Sequence, residues 1–378
     1  MPGIYLHIPF CKQACHYCDF HFSTSLKSKD ALINALAAEI DLQRTYFDSS
    51  AKNKIETIYF GGGTPSLLGG DEIKKLLDRI KENFSVEADA EITLEANPDD
   101  LDKGKLKSLR EAGINRLSIG IQSFDDEDLK WMNRAHSSAQ AIQSVKQSQE
   151  TGFDNITIDL IYGTPLLSDE QWKKNLETAF ALEVQHLSCY ALTVEARTPL
   201  AHLIALKKEK GIDESKQAKH FEMLMDMADQ NRFEQYEISN FARDQKYSKH
   251  NSSYWRGEKY LGIGPSAHSF NGESRQWNIR NNSEYTKLIG EGKIPLEREI
   301  LTPQNKFNEY IMVSLRTMWG CNLETVRKNF GNEVAENFFR QAMQKVGEGL
   351  LEQRRQNFIL TRKGKFFADK IASDFFIV

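Results

Sequence analysis

Residues 11–20 read CKQACHYCDF, three thiols within eight positions followed by Asp19 and Phe20. The stretch follows GIYLHIPF (3–10), an apolar run with the composition of a strand. Cys11, Cys15 and Cys18 therefore form C-x3-C-x2-C on the loop leaving the first strand. Clustered thiolates suit iron, yet iron–sulfur cubes and structural zinc sites both take four ligands, and the loop supplies three. The spacing differs from the bacterial ferredoxin run, which adds a fourth cysteine before proline. Cys189 lies in an apolar strand, where a free cysteine is ordinarily a small core residue, and Cys321 has no supporting feature. Zinc with His16 or His21 as fourth ligand is the alternative, but zinc usually draws its ligands as two pairs from separate turns, and no second pair is visible. A plain helix face is interrupted by Pro9 and the turn-like HYCDF. The spacing favours an iron–sulfur cluster with one iron open to a substrate or cofactor.

The rest of the chain says what carries this loop. Its 378 residues, 40% hydrophobic and 27% charged, allow one large domain and one or two smaller ones. A net charge of −4 gives no global footprint for nucleic acid or an anionic membrane. No apolar run approaches the roughly 18 residues that span a bilayer. The chain enters its thiol motif within about a dozen residues, so no secretory signal is expected. Five cysteines with three clustered do not resemble a secreted disulfide framework. The expected location is the reducing cytoplasm.

Strands are expected at 3–10, 55–63, 90–98, 116–124, 155–163 and 186–194, separated by amphipathic stretches such as KDALINALAAEIDLQRTYF. Strand–helix alternation implies parallel βα units. A Rossmann sheet shares that pattern. A barrel is favoured because polar or glycine residues fall at successive strand ends: the thiol loop, Gly62-Gly63-Thr64, Glu95, Gln122, Asp159 and Thr193. Six units predict an α/β fold with a partial, open (β/α)6 TIM-like barrel over residues 1–236. Residues 237–300 read as a Gly/Ser-rich, aromatic connecting segment. Residues 301–378 read as a small, mostly helical, winged-helix-like domain ending in two short strands and a helix. The basic residues of that tail, Arg354, Arg355, Arg362, Lys363 and Lys365, are read as a solvated wing rather than a DNA contact.

FGGGTP (60–65) has three glycines, which let backbone approach a ligand closely, and it lacks the phosphate-loop pattern. Glu95, Gln122 and Asp159 each interrupt an apolar strand, a costly placement unless paired. Asp159 would suit ribose hydroxyls. Arg134 could grip a carboxylate with two prongs.

C-x3-C-x2-C after the first strand resembles the radical S-adenosylmethionine (SAM) superfamily. In order along the chain, YLHIPFCKQACHYCDF, YFGGGTPSLL, EITLEANPDDL, GINRLSIGIQSF and IDLIYGTP resemble the oxygen-independent coproporphyrinogen III oxidase family within it. The dehydrogenase branch carries a further cysteine two positions after the third, where this chain has Phe20, and a longer N-terminal extension. Both departures, and HNSSYW (His250 to Trp255), are similar to the HemW-type haem chaperone branch with its H-N-x-x-Y-W signature.

The resemblance implies a [4Fe-4S] cluster on Cys11, Cys15 and Cys18, with SAM chelating the fourth iron. It implies a SAM pocket of Tyr5, Tyr17, Gly62, Gly63, Thr64, Glu95, Gln122, Arg134, Asp159 and Thr193. In that superfamily a reduced cluster cleaves SAM to a 5′-deoxyadenosyl radical; whether this chain does so is left open. The implied partners are haem or porphyrin and a protein that accepts haem, with dimerisation open and no nucleic acid or membrane span. His250 is the expected haem contact, since neutral imidazole is a common axial ligand and Tyr254 and Trp255 offer aromatic surface. The residues alone also permit His250 and Trp255 merely to pin a loop. His268 is the second candidate. The competing function is oxidative decarboxylation of coproporphyrinogen III.

Overall fold

In the computed structural model, which describes residues 2–47 and 54–377, the six expected strands lie side by side and parallel. They are β1 (Gly3–Ile8), β2 (Ile55–Gly62), β3 (Val86–Ala96), β4 (Arg116–Gln122), β5 (Ile156–Tyr162) and β6 (His186–Ala191). Helices Lys29–Leu42, Gly70–Asn83, Lys103–Ala112, Ser138–Glu150 and Asp169–Ala181 fill the crossovers, as parallel pairing requires. Their starts are set locally. Asp102 caps one helix, and Ser137 and Ser168 each close a capping box with a glutamine three residues on. Buried Leu76, Leu106, Val145 and Trp172 from these helices share one core with Ile58, Phe60, Leu94, Ile119 and Ile158 from the strands.

Each strand from β2 to β6 joins on the same side of its predecessor. A Rossmann sheet would reverse direction at a switch point, so the winding is that of a barrel. It is an open one, because β6 and β1 pair with other strands instead of each other.

The stretch read as a connecting segment does more than connect. It holds β8 (Asn240–Ala242), β9 (Tyr260–Ile263), β10 (His268–Phe270), β11 (Ser274–Asn278) and β12 (Leu296–Ile300), preceded by β7 (Glu234–Glu237). Strands β9 to β12 extend the sheet beyond β1, and β8 and β7 extend it beyond β6, giving twelve strands in the order β12-β11-β10-β9-β1-β2-β3-β4-β5-β6-β8-β7. These strands are three to five residues long, too short for their alternation to stand out from loop sequence. Buried Glu39, on the first helix, ties this flank in by accepting from Gly264 N–H (2.7 Å), Asn278 Nδ2 (2.7 Å) and the Tyr285 hydroxyl (2.5 Å).

Residues 303–377 form helices Pro303–Leu315, Leu323–Phe330, Asn332–Gly347 and Ala368–Asp374 around a small sheet, with a separate core of Phe307, Ile311, Val326, Phe338 and Phe358. That sheet comprises β13 (Cys321–Asn322), β14 (Leu351–Arg354) and β15 (Asn357–Leu360), the last two being the wing. Arg316 joins this part to the barrel through Glu237 at 3.1 Å. Among the described residues no helix is long and apolar enough to cross a membrane.

Alternate strand residues face opposite ways, and the face away from the helices is polar. Its lower tier is a continuous chain of buried groups. His250 donates its backbone N–H to Glu91 Oε1 (3.1 Å), and Arg116 lies 3.8 Å from the other Glu91 oxygen. Arg116 also donates to Thr157, which meets His186 Nδ1 at 3.0 Å, and His186 Nε2 meets the Tyr236 hydroxyl at 2.7 Å. Arg116 and Glu91 are 1% and 5% exposed. Removing one member of a buried ion pair strands its partner. Arg116→Ala should cost about 3–5 kcal/mol of stability, read from urea unfolding.

Candidate cofactor site at the mouth of the barrel

The thiol loop leaves β1 and is pinned at both ends by backbone. Cys11 N–H donates to Ser23 carbonyl (3.0 Å) and Ser23 N–H to Pro9 carbonyl (2.9 Å), so the intervening residues bulge over the strand ends. All three cysteines are half-buried and free. Burial pushes the Cys11 thiol up to about 11; a hydrogen bond from Thr64 works against this, and the Cys18 and Cys15 sulfurs add to it. That burial favours the protonated thiol, so Cys11 would have to give up its proton on binding a cationic cluster.

His16 Nδ1 meets the Trp131 carbonyl at 2.8 Å and His21 Nε2 meets Asn282 Oδ1 at 2.6 Å, so one nitrogen of each ring is engaged. Among the described residues no three His, Cys, Asp or Glu side chains converge as a single ion needs. The soft donor set and its spread over one loop fit the larger iron–sulfur cube.

The glycine run ends β2 beside this loop. Gly63 N–H donates to Ile8 carbonyl at 2.9 Å. A Cβ on Gly63 would stand 2.6 Å from the Phe10 carbonyl oxygen, immovable backbone, so glycine is required there. Gly62 takes φ +110° and donates its N–H to Glu95 Oε2 at 3.1 Å. Thr64, buried, donates to Cys11 Sγ at 3.5 Å and accepts from Asn97 Nδ2 at 3.3 Å.

The upper tier of the polar face holds the carboxylates. Glu95 Oε1 accepts from Tyr59 at 2.8 Å. Burial pushes the Glu95 carboxyl up to about 7, against the Tyr59 hydrogen bond and with help from Asp159. Burial also pushes Asp159 up to about 6, although the Ser188 and Ser118 hydroxyls and Arg116 favour its charged form. Tyr5 stacks on Tyr59 with centroids 6.0 Å apart and touches His7 Nδ1 at 3.3 Å.

Arg134 crosses the mouth. It reaches Cys15 Sγ (3.3 Å), Asn97 Oδ1 (2.7 Å) and Gly120 carbonyl (2.7 Å), while its Nε is buried with no hydrogen-bond partner. Gln122 sits at the irregular end of β4 with φ +68°, a conformation unusual for a side chain of this kind. Tyr17 packs with Leu129, Met132, Leu192 and Leu200 next to Cys15 and Arg134.

Thus the structure gathers Tyr5, Tyr17, Gly62, Gly63, Thr64, Glu95, Gln122, Arg134 and Asp159 around one mouth. Thr193 is exposed on the loop after β6. Asn97, which joins Thr64 to Arg134, was not singled out from sequence; its position before Pro98 reads as a turn, and only the two side chains it bridges disclose its role.

His250 lies elsewhere than a haem face would need. Its side chain is 1% exposed, with Nδ1 on Thr57 Oγ1 and Nε2 on the Tyr254 hydroxyl, both at 2.8 Å. It stacks on Tyr59 at 4.9 Å, and burial, then Arg116, drives its pKa down to about 3. With both nitrogens engaged, this imidazole offers nothing to an iron; it closes the barrel floor. Tyr254 and Trp255 from the same helix do reach a cavity of about 1180 Å³, which Asp19, Phe20 and His21 from the end of the thiol loop also line.

Three thiols on the first loop of an open parallel barrel, a glycine run beside them and carboxylates on the inner strand ends are the features of a radical SAM scaffold. Residues 5–179 match the radical SAM superfamily, and residues 301–367 match the HemN C-terminal domain. The haem chaperone HemW of Bacillus subtilis is 33% identical, covering 99% of both chains. That of Lactococcus lactis is also 33% identical, covering 99% of this chain and 97% of its own. The chain belongs to the HemW family of radical SAM proteins. The solved structure of coproporphyrinogen III oxidase from Escherichia coli has the same fold, with a TM-score of 0.84 at 24% identity over 99% of this chain and 89% of the other.

The close approach at Gly63 gives a direct check. Gly63→Ala should lower the iron and sulfide retained after anaerobic reconstitution and cost about 1–3 kcal/mol. Gly290→Ala, whose Cβ would meet nothing within 4 Å, should change neither.

Proposed function

We propose that this protein binds haem and passes it to an acceptor protein, using a [4Fe-4S] cluster and SAM as resident groups beside the haem. The single observation that carries the reading is the cavity of about 1180 Å³ that opens against the thiol loop. Phe20, Tyr254, Trp255, Phe270 and Phe330 give it broad aromatic surface for a macrocycle; among its cations Arg275, Arg280 and Lys306 are paired with the lining acids Glu309, Asp19 and Glu273, and Arg256 and Lys328 are suited to propionates. Phe20 is 71% exposed, a large apolar ring with a ligand-sized space in front of it. The names of the full-length relatives support the same reading.

Cys11, Cys15 and Cys18 would hold the cluster. Glu95, Asp159, Arg134 and the Gly62–Gly63 backbone would hold SAM, and bound SAM would supply one-electron chemistry if cleaved. The residues themselves act by position: Arg134 neutralises charge beside Cys15, Thr64 orients Cys11, and the barrel wall keeps water from the mouth. Five free cysteines suit a reducing cytoplasm.

The decarboxylase reading shares the fold and the cation-lined cavity, and one pair of assays separates the two. Anaerobically reconstituted protein should give a Soret band on titration with haem and no vinyl product from coproporphyrinogen III with SAM and a reductant. Turnover to the vinyl product would overturn the chaperone reading.

SAM binding should also depend on pH. Glu95 is raised from its ordinary range to about 7, so between about 4.5 and 7 the native state holds a proton the unfolded chain has lost, and stability falls as pH rises through that window. A cationic sulfonium and ammonium favour the ionised carboxylate. Affinity for SAM should therefore rise with pH, by at most about tenfold per unit, and level off above about 7. Calorimetry at several pH values should show this rise for the parent and a flatter one for Glu95→Gln.

A further inference from the structure

Haem iron in proteins is held by histidine, cysteine, methionine or tyrosine, and the cavity offers few such groups that are not already committed. Its tyrosines are engaged. The Tyr5 hydroxyl meets His7, Tyr254 meets His250, Tyr260 accepts from Arg275, and Tyr310 accepts from Asn322 N–H. Of its histidines, His7 has both nitrogens engaged, Nδ1 on Tyr5 and Nε2 on the His21 carbonyl, while His21 has Nε2 on Asn282, keeps Nδ1 unengaged among the described residues and lies stacked on His7. His268 differs. It lies on β10, its side chain is exposed on the cavity wall, and among the described residues neither ring nitrogen has a hydrogen-bond partner.

The ring is nevertheless held in place. His268 pairs directly with Trp277 across β10 and β11, and the two rings stack with centroids 6.0 Å apart and planes 29° from parallel. A cross-strand pair of this kind sets the direction of the ring without taking up either nitrogen. Partial burial, and then Arg275, lower its pKa, which keeps a lone pair available at neutral pH. Arg275, two residues before Trp277 and so on the same face of β11, also lines the cavity and grips Glu309 with two hydrogen bonds of 2.7 and 2.8 Å.

We propose that His268 is the axial ligand of the haem iron, held in orientation by Trp277, and that His250 is a structural floor beneath the SAM pocket. The proposal rests on the haem-binding reading above. In that arrangement His268, Phe20, Tyr254 and Trp255, which all line the cavity, would hold the macrocycle, and His268 would supply a nitrogen to its iron.

The test uses the full-length, cluster-reconstituted protein with two probes, haem and metal-free protoporphyrin IX. His268→Ala should shift the Soret band, change the iron spin state seen by electron paramagnetic resonance, and weaken haem binding by about tenfold or more, which is about 1.4 kcal/mol or more. Added imidazole should restore the parent spectrum. Protoporphyrin IX, which has no iron to ligate, should bind parent and variant alike. An unchanged haem spectrum in His268→Ala would overturn the proposal, as would loss of the histidine signature in His21→Ala or His250→Ala but not in His268→Ala. If the parent binds neither haem nor protoporphyrin IX, the haem-binding reading fails and this proposal with it. A parent that binds both, with a spectrum indifferent to position 268, sinks the ligand assignment alone.

Discussion

Everything at the mouth of the barrel depends on two strand ends meeting with no side chain between them. Gly63 donates to Ile8 across the first two strands and comes so close to Phe10 that a methyl group would strike backbone. That contact brings the thiol loop over the end of β2, and from there each neighbour follows. Thr64 reaches Cys11, Asn97 reaches Thr64, and Arg134 joins Asn97 to Cys15. The chain of contacts crosses four of the six parallel strands or their loops. Its cost is charge in a confined space: two carboxyls, Glu95 and Asp159, raised well above their ordinary range, and an Arg134 nitrogen without a partner. Groups held in this way are characteristic of sites that complete themselves with a ligand.

The inner face of the sheet has two floors with different work. The upper one carries the groups that face a ligand. The lower one, from Thr57 and Glu91 through Arg116 and Thr157 to His186 and Tyr236, is satisfied almost wholly by itself and closed from below by His250. Tyr59 joins the floors, since its ring stacks on His250 and its hydroxyl reaches Glu95. A change at the barrel floor would thus be felt at the carboxylate above.

Much of this was legible in the sequence, and for physical reasons. Parallel strands buried on the helix side advertise themselves as apolar runs, so all six were found, though β3 starts four residues earlier and β6 ends three earlier than expected. Thiol spacing and adjacent glycines are local, so the loop and its partner run were readable too. What the sequence hid was long-range or short. Strands β9 to β12 are too brief to show a period. His250 was readable as an imidazole beside aromatic residues, but the partners that decide its role, Glu91 and Thr57, lie 159 and 193 residues away. Asn97 looked like an ordinary residue before proline. Thr193 was expected on the sixth strand, which stops at Ala191, and it lies on the exposed loop beyond.

The order of the sheet also has a consequence in time. β1 is made first, yet the neighbour on its outer side is β9, at residues 260–263. While the ribosome is still working through the barrel, that backbone edge is unpaired, and unpaired edges invite association with other chains. The last wall of the cavity, with Tyr310 and Phe330, emerges later still. A group lodged between the thiol loop and that wall is therefore enclosed only after residue 330 has been made, and a nascent chain presents its cysteines on a scaffold that is not yet shut.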